Sequence, residues 1–154
     1  MAQKTFPCIV QYACQKKKVP GRRHLRHWVS TVLALEGRRA GDITLRFVKQ
    51  REGYRLNRLY RGQAYATNVL SFPYPGEPRV NGDLVFCTAV IAREARAQGK
   101  KRLAHYAHLV VHGLLHLLGY DHEQGEAEAL HMEQRERQIM MMLGFPNPYA
   151  DEDE

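Results

Sequence analysis

A chain of 154 residues, 44% of them apolar, is long enough to bury a core without staples, and the expectation is a single domain over residues 1–154. Its three cysteines, Cys8, Cys14 and Cys87, are odd in number and form no C-x-x-C pair, and nowhere do about 18 apolar residues run unbroken; this excludes a disulfide framework, a cysteine-based zinc knuckle and a membrane span, and a cytoplasmic protein with no membrane partner is expected. The net charge of +7 divides into 21 Lys+Arg against 6 Asp+Glu in residues 1–110 and 2 against 10 in residues 111–154, so the larger part of the chain suits a polyanion such as nucleic acid.

In chain order, Thr5 to Cys14 is β-favouring and predicts a first strand, followed by the basic run Gln15-Lys-Lys-Lys18 and the breakers Pro20-Gly21. Leu25, Trp28, Val29, Val32 and Leu35 recur at three and four and predict an amphipathic helix over 22–36, stopped by Gly37. Ile43, Leu45 and Phe47 alternate with polar residues as in a half-buried strand, and a short helix is expected near 52–60. The apolar run ending at Phe72-Pro73 reads as a buried strand, Pro73 to Pro78 as a break, and 82–88 as another strand. Helices are predicted over 89–98, about 102–118 and about 126–143, with a frayed acidic tail at about 150–154. This order gives an α+β (mixed α/β) layer fold: about four strands in a mixed sheet packed by helices.

The chemistry concentrates in His112-Gly-Leu-Leu-His116-Leu-Leu-Gly119-Tyr-Asp121-His122. On a helix rising about 1.5 Å per residue, His112 and His116 lie one turn apart on a single face and can both aim a ring nitrogen at one ion. Gly119 is suited to end the helix and turn the chain back, so that His122 can supply a third ligand. Three imidazoles leave one position of a tetrahedral Zn²⁺ open, as in a catalytic site. His108 lies about 12 Å from His116 along the axis, too far to share an ion, and is expected behind the ligands. Asp121 can orient an imidazole or cap the turn; Tyr120 is expected to pack, and Met140-Met-Met142 to fill core. Zinc proteases place a glutamate directly after the first histidine as general base; here that residue is Gly113, which disfavours proteolysis.

Together with Tyr60-Arg61-Gly62 and Thr67-Asn68-Val69-Leu70-Ser71-Phe72, the histidine motif resembles the YbeY family, bacterial single-strand-specific endoribonucleases that mature ribosomal RNA. The likeness covers residues 56–72, 82–88 and 105–149, with Gln63-Ala64 where members commonly read Lys-Asp, and Ala66 where Pro is common. It implies one zinc ion on His112, His116 and His122, with Arg61 as the important residue outside the metal shell. The implied partners are precursor ribosomal RNA and the small ribosomal subunit with its assembly factors. A guanidinium at Arg61 would hold phosphate in a bidentate fork and offset charge in the transition state. The expected function is therefore a zinc-dependent endoribonuclease in small-subunit 3′-end maturation and ribosome quality control. The competing readings are a metal-dependent peptidase with metzincin-like geometry and a non-catalytic ribosome-assembly module with structural zinc.

Overall fold

The computed structural model describes residues 7–76, 78–121 and 123–150. The chain runs β1 (Ile9–Ala13), α1 (Arg22–Leu35), β2 (Arg39–Val48), α2 (Gln50–Arg61), β3 (Val69–Tyr74), β4 (Arg79–Cys87), α3 (Thr88–Ala97), α4 (Arg102–Leu117) and α5 (Glu126–Met142). Every expected element is present, shifted by a few residues at most ends; Thr5, at the start of the expected first strand, and the tail 151–154 lie outside the described residues.

The four strands form one mixed sheet in the order β1-β2-β4-β3, with β1, β2 and β4 parallel and β3 antiparallel to β4. One correction concerns β3. Only Leu70 is buried there, and Pro73 and Tyr74 are exposed, because the strand lies at the sheet edge rather than in its middle. An edge is also where a strand proline is tolerated, since its missing N–H breaks no interior ladder.

The alternation expected in β2 sends Ile43, Leu45 and Phe47 to the main core, where Phe47 stacks on Phe86 of β4 at 5.0 Å. Val48, Leu70 and Val85 face the other side and pack with Leu56 of α2. The sheet is thus covered on both faces, as parallel strands require. Helix α4 lies deep in the main core: Tyr106, Ala107, Leu109, Val110, Val111, Leu114 and Leu115 are all buried. Gly113 lets it approach β4, since a Cβ there would come within 2.9 Å of Leu84 Cδ2. A helix apolar on nearly every side leaves few places for polar side chains, and α4 spends them on a row of histidines.

Candidate metal centre

His105, His108, His112 and His116 follow one another along α4 with ring centroids 6.5, 6.4 and 4.6 Å apart. The last pair is the close one. His112 Nε2 and His116 Nε2 stand 3.1 Å apart, the separation of two bonds of about 2.0–2.1 Å enclosing roughly 100°. His116 lies in the last helical turn, where the partial negative charge of the helix end favours a cation. There the helix closes in a Schellman turn: Gly119, at φ +102°, donates its N–H to the His116 carbonyl (3.0 Å), and Tyr120 N–H donates to Leu115 (3.0 Å). The expected helix, turn and pair of converging nitrogens are all in place.

Behind the pair sits a carboxylate that sequence reasoning missed. Glu136 of α5 is fully buried, and its Oε1 accepts a hydrogen bond from His112 Nδ1 at 2.5 Å. Its Oε2 accepts from His108 Nε2 at 3.0 Å and from the Tyr149 hydroxyl. Burial pushes the Glu136 carboxyl up, but the hydrogen bonds from His108 and His112 outweigh it and hold its pKa at about 2. An ionised carboxylate only accepts, so His112 carries its proton on Nδ1 and presents the Nε2 lone pair to the cleft. This is the carboxylate–histidine arrangement that orients a metal-bound imidazole. The one signal in the sequence was a glutamate among Met132, Ile139 and Met140, at the i, i+4, i+7 and i+8 positions of the buried stripe. His108, expected behind the ligands, shares this carboxylate with His112.

A cleft of about 790 Å³ opens before His112 and His116, walled by the end of α2, by β3 and by the turn after α4. Arg61, the last residue of α2, reaches into this cleft from the far wall. Its side chain is 52% exposed and, among the described residues, is held only by Glu123, Nη2 to Oε1 at 3.6 Å. An exposed pair of that length contributes little, so the guanidinium is available to a stronger anion. Asn68 lines the cleft too, and its amide donates to both carboxylate oxygens of Glu94 (3.1 and 3.3 Å), which also pairs with the buried His105 (3.0 Å). Burial pushes the Glu94 carboxyl up; the hydrogen bonds from His105 and Asn68 prevail and hold it below the usual range.

Two expectations are settled here, and Asp121 shows one of its two expected roles. Asp121 caps the turn, accepting from Glu123 N–H at 2.8 Å. Tyr120 packs, half-buried and stacked on His131 at 5.4 Å. The methionine cluster divides: Met140 is buried, but Met141 and Met142 are 66% and 64% exposed, because consecutive residues of a helix cannot all face one core. His122 lies outside the described residues, and among the described residues no group of three His, Cys, Asp or Glu is spaced to hold an ion. The two described donors nevertheless fit zinc in kind, as imidazoles whose Nε2 atoms converge, one of them backed by a carboxylate.

A family model described as Endoribonuclease YbeY matches residues 10–144. The chain is 52% identical to the Endoribonuclease YbeY of Stenotrophomonas maltophilia (strain K279a) and to that of Xanthomonas axonopodis pv. citri (strain 306), in each case over 93% of this chain and 92% of the relative. Its fold is similar to the solution structure of TM1509 from Thermotoga maritima, with a TM-score of 0.65 and 25% identity over 86% of both chains.

Proposed function

The chain belongs to the Endoribonuclease YbeY family, and from that premise we propose that it is a zinc-dependent, single-strand-specific endoribonuclease acting on precursor ribosomal RNA in the cytoplasm, on the small subunit and beside its assembly factors. The single observation that carries the reading is the convergence of His112, His116 and Arg61 on one cleft, from helices on opposite faces of the sheet.

His112, His116 and, by the sequence motif, His122 would hold one zinc ion, which when bound supplies a Lewis acid for a phosphoryl oxygen. The protein's own groups do the rest. Glu136 keeps the His112 lone pair turned to the cleft. Arg61 exchanges its weak contact with Glu123 for a bidentate grip on the phosphate and offsets the charge that develops there. Single-stranded nucleotides suit an open cleft of this kind because their bases are already splayed, and Tyr60, 62% exposed on its wall, offers a ring for one of them.

The peptidase reading loses its general base at position 113, and the structure gives that position no room for one: Gly113 is buried against Leu84. The test is to offer zinc-loaded protein precursor ribosomal RNA, an RNA duplex and a mixed peptide library in parallel. Cleavage confined to single-stranded RNA is the expected result. Peptide cleavage with intact RNA would overturn the proposal in favour of a peptidase, and inertness toward all three would leave an assembly module.

A further inference from the structure

We propose that the exposed face of α2 is a track for the backbone of single-stranded RNA leading into the cleft, an inference that rests on the endoribonuclease reading for the identity of its ligand. Arg51, Arg55, Arg58 and Arg61 follow at spacings of four, three and three, which places them in one stripe along the helix, and all four are exposed. From first to last they span about 15 Å of helix axis. The stripe ends at Arg61, on the wall of the cleft that holds His112 and His116.

Nothing acidic on the helix offsets this charge at the surface. Its one acid, Glu52, is gripped from β2 by Arg46, with Nε to Oε2 at 2.7 Å and NH2 to Oε1 at 3.1 Å. Among the described residues, the side chains of Arg51, Arg55 and Arg58 make no hydrogen bond or ion pair. Like charges three and four apart on a helix repel, and a face serving only solubility mixes its signs. A stripe of one sign with free guanidinium forks is instead the form that phosphate oxygens complete. Beyond Arg51 the charge continues: Lys49, directly before α2, lines a hollow of about 290 Å³ together with Lys17, Lys18 and Arg102.

Tyr54 supplies the preference for a single strand. It sits on the helix three residues after Arg51 and four before Arg58, with 37% of its surface exposed. A ring between two phosphate-binding arginines can stack an unpaired base, which a duplex does not present.

The test is binding of a short fluorescein-labelled oligouridine to the zinc-loaded protein across a salt series, for wild type and for Arg55→Gln/Arg58→Gln. Neither residue touches the core, so melting temperature and zinc content serve as controls. Two lost contacts on a single strand should reduce the slope of log affinity against log salt by about 1.4. An unchanged slope, or equal competition by an RNA duplex of the same length, would overturn the proposal. Its fate is separable from that of the enzyme: salt-dependent binding sensitive to the double variant, with no cleavage by wild type, keeps the track and discards the endoribonuclease. Cleavage with an unchanged slope does the reverse.

Discussion

His112 Nδ1 lies 2.5 Å from Glu136 Oε1, a hydrogen bond between residues 24 apart in the chain that ties α4 to α5 and fixes which nitrogen of the imidazole faces the cleft. Because Oε2 is already occupied by His108 and the Tyr149 hydroxyl, the carboxylate cannot turn away from His112 without losing both. Glu136→Gln should therefore lower zinc affinity about 10- to 100-fold, the usual effect of removing such a partner. Chelator competition measures it. Tyr149→Phe, which removes one donor and leaves the carboxylate, should show a smaller loss in the same direction. An affinity unchanged in Glu136→Gln would mean that the contact only joins helices.

Arg61→Ala should fold and bind zinc like wild type, since the side chain is half exposed and its ion pair with Glu123 is weak. Cleavage should fall about 10²- to 10³-fold, the loss typical of a single charge-stabilising donor. Arg61→Lys keeps the charge without the fork and should recover part of the rate. Full activity in Arg61→Ala would remove the residue from the site.

Gly113 separates this scaffold from zinc proteases by packing as well as by chemistry. A side chain at that position meets Leu84 Cδ2 at 2.9 Å and Cδ1 at 3.0 Å in a buried layer. Gly113→Glu should destabilise the fold by more than about 3 kcal/mol through overpacking and an unpaired buried charge, and should gain no peptidase activity. Denaturant melts of the metal-free proteins give the answer; a stable variant would show that α4 can retreat from the sheet.

Glu94 predicts one component of acid sensitivity. Its carboxyl titrates below the ordinary 4.5, because the hydrogen bonds from His105 and Asn68 outweigh burial. A depressed carboxylate adds stability that is complete above the unfolded value and is lost as pH falls through the folded one. Stability of the metal-free protein should thus decline below about pH 5, and Glu94→Gln should flatten that limb. An acid limb of equal steepness in the variant would refute the assignment.

How far the site could be read in advance follows from the range of each contact. His112, His116 and Gly119 were legible because helix period and turn chemistry act over a few residues. Arg61 was legible only through family likeness: no local rule shows that α2, on the opposite face of the sheet, ends at the cleft of α4. Glu136 and Tyr149 reach His112 and His108 through the packing of α5 and the turn after it, and that register is not written in any single window. The same reason applies to β3. Its apolar run suggested burial, but whether a strand is central or at an edge is decided by its partners, and among the described residues β3 has only β4.

The most direct test of the central claim is cleavage of purified precursor ribosomal RNA by metal-analysed wild type and His116→Ala, with the product ends mapped. Wild type should carry about one zinc per chain and make discrete cuts in single-stranded regions, with both lost in the variant. Wild type that carries zinc and leaves the RNA intact, or a variant that cuts as well without it, would rule out a zinc-dependent endoribonuclease.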